Sequence, residues 1–263
     1  MSIVVENLSF AYDTHVVLNN VSFIAEENQF LSVLGPNGVG KTTLFRCILG
    51  LLKGYTGSIT VDGQNMRNIS AREMAKRIAY IPQSHYPSFN YTVFDMVLMG
   101  TTQQVSVVST PGKKQMEQAE QALQRLGIEH LHNRSFNRIS GGERQLTIIA
   151  RALAQNAHVL ILDEPTTNLD FGNQIKVLTQ IKSLTHDGYT IIQSTHNPDQ
   201  TFLFSDRVLA LKDGIVLACG IPAEIVSSEL MRTLYGVDIE VQSLYDDAVR
   251  VCIPSVAIRM ASR

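Results

Sequence analysis

The chain has 263 residues, is 44% hydrophobic and carries a formal charge of −2. That length supports a substantial core, as one large α/β domain or one domain with a sizeable insertion, and the charge balance argues against a nucleic-acid surface, whose usual footprint is a basic stripe. No apolar run approaches the length of a membrane span, residues 1–6 lack the charged-then-apolar order of a signal peptide, and Cys47, Cys219 and Cys252 fit neither a metal-ligand spacing nor a disulfide framework, so a soluble intracellular chain is expected.

Residues 3–33 read as antiparallel strands joined by turns: 3–8, a turn through Asp13 and Thr14, 21–25, and an apolar strand at 30–34. Tyr12 lies at a turn in this region, where simple packing is the default reading of a single tyrosine. The strand at 30–34 runs into Gly35-Pro36-Asn37-Gly38-Val39-Gly40-Lys41-Thr42-Thr43, which matches G-x-x-x-x-G-K-[ST]. In that phosphate-binding loop the backbone amides wrap a nucleotide's phosphates, the lysine reaches the terminal ones and the hydroxyl of Thr42 meets Mg²⁺. A strand before and a helix over 43–52 after make an accidental glycine-rich turn a poor alternative, so ATP or GTP binding is expected.

Beyond the loop, 57–63 reads as a short strand and turn, 71–76 as a short helix and 78–81 as a strand ending at Pro82 and Gln83. Gln83 thereby falls at a strand's carboxyl end, where open α/β sheets place ligand groups, although a surface glutamine fits equally well. Residues 87–154 turn helical, with segments at 93–99 and 113–126, the latter showing an apolar face of Met116, Ala119, Leu123 and Leu126 stopped by Gly127. Residues 101–112 lack an apolar period and read as a mobile loop.

Ser140, Gly141 and Gly142 open a helix whose apolar positions are Leu146, Ile149, Ala150 and Leu153, with Ser140 as N-cap. Two glycines there allow a phosphate to approach the free amides, though an ordinary cap would look the same. The run Val159, Leu160, Ile161, Leu162 then reads as a strand buried on both faces, and it delivers Asp163 and Glu164 at its carboxyl end. Asp163 is placed to hold Mg²⁺ and Glu164 to orient or deprotonate the attacking water. A helix bearing Val177, Leu178, Ile181 and Leu184 follows, then a buried strand at 189–195 that ends at His196, a candidate donor to a γ-phosphate.

In this order the motifs closely resemble those of ATP-binding-cassette (ABC) ATPases, the nucleotide-binding subunits of transporters. The resemblance covers nearly the whole chain: phosphate loop at 35–43, glutamine loop at Gln83, signature at 139–145, paired acids Asp163 and Glu164, the Asn168-Leu169-Asp170 loop and the switch histidine His196. Ile139 and Glu143 replace the commoner leucine and glutamine of the signature and Thr42 a serine, with no needed group lost. The resemblance implies an α/β fold of the P-loop NTPase class, the ABC ATPase fold: a mostly parallel core sheet, an antiparallel β subdomain and an inserted helical subdomain. Within a single domain over 1–263, it implies a core with β subdomain at 1–86 and 155–220, a helical subdomain at 87–154 and a C-terminal extension at 221–263.

It further implies ATP and Mg²⁺ as cofactors, Lys41, Glu164 and His196 as catalytic residues, and adenine stacking on Tyr12. Thr42, Gln83 and Asp163 become the Mg²⁺ residues. Two cassettes would pack head to tail, most simply as a homodimer, so that Ser140, Gly141 and Gly142 of one meet the γ-phosphate held by the other. Asn168 and Asp170 would communicate across that interface, and 83–94 would touch a coupling helix of transmembrane permease subunits. An external substrate-binding protein belongs to such a system, nucleic acid does not, and the subunit would lie peripherally on the cytoplasmic side of the inner membrane. Residues 91–100 and 234–241 are similar to importers of iron–siderophore, haem and cobalamin chelates. Related cassettes serve molybdate or tungstate, zinc and manganese importers. A cassette acting in translation or on DNA, and a small-molecule kinase using the same loop, are the remaining alternatives. The kinase would not need Ser140-Gly141-Gly142.

Overall fold

A computed structural model describes residues 1–83, 90–104, 110–247 and 249–261. In chain order the first elements are β1 (Ile3–Tyr12), β2 (His15–Ala25), β3 (Phe30–Leu34), α1 (Lys41–Ile48), β4 (Thr56–Val61), β5 (Gln64–Asn65), α2 (Ala71–Ala75) and β6 (Ile78–Ile81). Next come α3 (Val93–Leu98), α4 (Lys113–Arg125), α5 (Gly141–Ala154), β7 (Val159–Asp163), α6 (Phe171–Ser183) and β8 (Thr190–Thr195). The chain ends in α7 (Pro198–Phe204), β9 (Arg207–Lys212), β10 (Ile215–Gly220), α8 (Pro222–Ile225), α9 (Ser228–Tyr235), β11 (Ile239–Leu244), β12 (Val249–Pro254) and α10 (Ser255–Ala261).

The described chain forms two compact units. The first comprises residues 1–68 and 192–263. It contains the antiparallel sheet β2-β1-β4-β5 and, separately, the strand order β10-β9-β3. Alternation explains the antiparallel sheet: Ile3, Val5, Leu8 and Phe10 of β1 are buried while the residues between them face out. Between Val5 and Leu8 the register slips, with Asn7 at φ 51° and its amide bonded to Ser22 Oγ at 2.8 Å, a bulge that keeps Leu8 on the core side. β3 instead is buried at every position and pairs in parallel with β9.

The second unit comprises residues 69–191. β6 and β7 run parallel in it, from Ile78 opposite Val159 to Ile81 opposite Leu162, and all five residues of β7 are buried. The expected combination of parallel core pairing with a separate antiparallel sheet is therefore present. β8 begins in this unit and crosses into the first at Ile192.

Several elements differ from the sequence expectation. The helix after the phosphate loop starts two residues earlier and ends four residues earlier than 43–52, spanning Lys41–Ile48, because it is capped by Gly40 and stops before Gly50 at φ 65°. Met116 is 47% exposed, so the buried face of α4 is Ala119, Ala122 and Leu123. Met99–Gln104 is a 3₁₀ helix rather than mobile loop, since Thr101 is fully buried and donates to Leu98 O at 2.8 Å; residues 105–109 lie outside the described part. The N-terminal strands are longer than expected, and Tyr12 is the last residue of β1, paired with His15.

Candidate active site

In the first unit, β3 carries the chain into the phosphate loop. Gly35 donates to Thr195 O at 3.2 Å, and a Cβ on it would lie 2.3 Å from Leu211 O, so no side chain fits there. Gly38 and Gly40 adopt φ of 85° and 105°, the left-handed region where glycine carries no steric penalty. Gly40 caps α1, whose first-turn amides form the positive end of the helix. Pro36, Asn37 and Val39 complete the turn, and Thr42 and Thr43 stand in the first turn of α1. Lys41 is 5% exposed and its Nζ donates to Gly35 O at 2.7 Å and Pro36 O at 3.0 Å, so its charge is held over the loop.

His196 follows β8 directly and is exposed. Its neighbours are tied down: Asn197 N donates to Thr195 Oγ1 at 3.1 Å, and the Asn197 side chain caps α7 through the Asp199 amide at 3.0 Å. Tyr12 is 41% exposed, and its ring packs at 88° to that of Phe10, with centroids 4.9 Å apart.

In the second unit, β7 delivers the paired acids. Asp163 is 4% exposed, with Tyr80 donating its hydroxyl to Oδ2 at 3.3 Å. Glu164 adopts φ 48°, uncommon for a residue with a side chain, and its Oε2 accepts from Gln83 Nε2 at 3.2 Å and Thr167 Oγ1 at 2.9 Å. Two donors on one oxygen fix the plane of the carboxylate. An open cleft beside it is lined by Gln83, Gly141, Arg144, Gln145, Glu164 and Asn168.

Ser140 caps α5 in a reciprocal arrangement: its Oγ accepts from the Glu143 amide at 3.3 Å, and Glu143 Oε2 accepts from the Ser140 amide at 2.7 Å. Those bonds from Ser140 hold the Glu143 carboxyl below the usual carboxylate range. Gly141 and Gly142 then form the first turn of α5, and a Cβ on Gly142 would lie 2.6 Å from Asn173 Oδ1. Asp170 caps α6 by accepting from the Asn173 amide at 2.9 Å, which together with the Asn173 side chain lowers its carboxyl pKa.

Thus Gln83, Glu164 and Asn168 share one cleft, Gly142 and Asp170 meet through Asn173, and the phosphate loop adjoins the strand that leads to His196. Sequence reasoning missed Tyr80, Thr167 and Asn173. Thr167 carried a weak signal, a hydroxyl three residues after the second acid; Tyr80 and Asn173 carried none beyond their place in regular elements. Residues 84–89, part of the stretch expected to meet a permease, lie outside the described part. Of the residues expected at Mg²⁺, Thr42 lies in the first unit and Gln83 and Asp163 in the second; each carries a side-chain oxygen, and the described residues contain no cluster of three or more His, Cys, Asp or Glu able to hold a metal. A carboxylate and neutral side-chain oxygens are the donor types that suit a hard cation such as Mg²⁺.

A phosphate-binding loop before α1, joined in the same chain to a strand ending in two acids and to a glycine-opened helix, defines a nucleotide-hydrolysing P-loop protein. Residues 18–167 match the family described as ABC transporter, and the chain belongs to that family as an ATP-hydrolysing cassette. It is 40% identical over 230 residues to an ABC transporter ATP-binding protein of Haemophilus influenzae, covering 88% of each chain. It is 33% identical over 232 residues to the ferric enterobactin transport ATP-binding protein FepC of Escherichia coli, covering 88% of this chain and 86% of that one. Among solved structures, an inward-facing ABC transporter assigned to the metal-chelate type superposes with a TM-score of 0.86 at 32% identity, covering 96% of both chains. No described helix is long and apolar enough to cross a membrane.

Proposed function

We propose that this chain is the ATP-hydrolysing subunit of an importer for iron chelates, working peripherally at the cytoplasmic face of a membrane with separate permease subunits, a second cassette and an external binding protein. The likeness to the ferric enterobactin protein and to the metal-chelate type transporter supports the cargo class. The observation that carries the hydrolytic reading is Glu164, a carboxylate at the end of a wholly buried strand, in left-handed backbone and oriented by Gln83 and Thr167.

In this reading the loop amides of 35–43 and the Lys41 ammonium bind the ATP phosphates, and Tyr12 offers its ring to the adenine. Mg²⁺, held by Thr42, Gln83 and Asp163, would neutralise charge on the β- and γ-phosphates. Glu164 orients a water and accepts its proton as the water oxygen bonds to the γ-phosphorus; the bond to the bridging oxygen breaks and ADP leaves. His196 donates to the γ-phosphate oxygens as charge develops there. Ser140, Gly141 and Gly142 of the second cassette, most simply an identical copy, complete the site, with Asn168 and Asp170 at the shared interface.

Complementation tests both parts. In cells lacking the endogenous chain, the wild-type chain should restore uptake of a radioactive ferric chelate, while Glu164→Gln should not. Purified Glu164→Gln should hydrolyse ATP at least about a hundredfold more slowly and elute as an ATP-bound dimer. Unchanged turnover in the variant removes Glu164 as the base, and restored uptake of manganese or molybdate in place of iron overturns the cargo.

A further inference from the structure

The residues beyond α8 take no part in the hydrolytic reading, yet two of them reach the backbone around His196. Tyr235, the last residue of α9, donates its hydroxyl to the carbonyl oxygen of His196 at 2.9 Å. Cys252 of β12 donates its amide to Asp199 Oδ1 at 2.8 Å, on the first turn of α7, which begins two residues after His196. The Tyr235 ring is set among buried residues that include Leu34 of β3, Met231 and Leu234 of α9, so its hydroxyl is aimed by packing. Burial raises the pKa of that hydroxyl, and it stays a donor throughout the neutral range. At the other side of the turn, Thr195 Oγ1 donates to Gln200 Oε1 at 3.0 Å and accepts from the Asn197 amide at 3.1 Å. The segment 195–199 is therefore bonded from its own strand, its own helix and the C-terminal α9 and β12.

From this geometry we infer that Tyr235 is a positioning residue for the switch histidine. Its hydroxyl fixes the peptide that carries His196, and through it the angle at which the imidazole is presented to the γ-phosphate. The C-terminal α9–β12 segment then acts on hydrolysis without touching nucleotide. An imidazole on an exposed turn has several accessible orientations, and anchoring its own carbonyl removes some of them before substrate binds. The inference rests on the assignment of His196 as a γ-phosphate donor.

The test is a double-mutant cycle on the ATPase rate of the full chain. Tyr235→Phe keeps the ring in its packing and deletes only the hydroxyl. It should lower kcat about fivefold with KM for ATP changed less than about twofold, and leave the thermal midpoint close to that of the wild type. In a His196→Ala background the same substitution should have no further effect on kcat. Equal losses in both backgrounds would show a merely structural hydroxyl, and a wild-type kcat in Tyr235→Phe would overturn the inference outright. A His196→Ala chain that hydrolyses ATP at the wild-type rate would instead sink the assignment of His196, whatever Tyr235 does. Should Tyr235→Phe fold poorly, Asp199→Ala, which frees the other C-terminal tie, is expected to give the same background-dependent loss, and a background-independent one refutes the coupling.

Discussion

Gly142 shows how closely single residues are fitted in the signature region. Any side chain there meets Asn173, whose Nδ2 donates to Asp170 Oδ2 at 2.6 Å, so a methyl group would force Asn173 off its acceptor. Gly142→Ala should cost about 1–2 kcal/mol and lower the thermal midpoint by roughly 2–8 °C. Adding Asn173→Ala should return part of the stability by opening the space but, on the proposed pairing of two cassettes, should not return hydrolysis, because the methyl would still stand where that pairing brings the partner's phosphate. Recovery of hydrolysis in the double variant would show that Gly142 is kept only for Asn173. The glycines themselves were legible because their position at a helix start is a local pattern. Asn173 was not, because its role depends on α5 and α6 meeting, and nothing in the spacing of either helix announces that contact.

The N-terminus of α5 owes its stability to two reciprocal bonds, one of which depends on charge. Glu143 is held below the usual carboxylate range in the folded chain, chiefly by the Ser140 amide and then the Ser140 hydroxyl. A depressed folded pKa means a contribution that is complete above the unfolded value of about 4.3 and is lost as pH falls through the lower folded value. Glu143→Gln keeps an acceptor and removes the titration. Chemical denaturation of the two chains should show the wild type more stable near neutral pH and the difference shrinking as the pH falls below the unfolded value; a difference independent of pH would mean that the bond, not the charge, stabilises the cap. Elements with this kind of local chemistry were readable from the sequence: Ser140 with Glu143 three residues on, or the unbroken apolar run of β7. Elements shaped by distant packing were not. The Met99–Gln104 3₁₀ helix looked like loop because its composition is polar, yet Gln103 reaches Gln155 O at 2.7 Å and Thr101 is buried. Met116 looked like core because it falls on the apolar period of α4, and the helix simply presents that edge outward.

Across the whole molecule, the order of motifs along the chain was sufficient to read the fold class, whereas the C-terminal part was legible only as a tail. The β11–β12 hairpin turns through Tyr245, Asp246 and Asp247 at φ of 52°, 54° and 68°, with no glycine or proline to mark it. Aspartates tolerate that conformation, but two of them in a row read as ordinary solvated surface. The same dependence on distant chain governs the phosphate loop. Gly35 is bonded to Thr195 and packed against Leu211, so the motif of the first fifty residues takes its shape from strands made far later. A chain still on the ribosome carries the complete loop sequence long before it carries the walls that shape it. Nucleotide capture should accordingly be acquired late in synthesis: stalled nascent chains ending before β9 should not retain a fluorescent ATP analogue, while chains in which β9 and β10 have cleared the exit tunnel should. For most of its synthesis, the growing cassette would be blind to the cell's ATP.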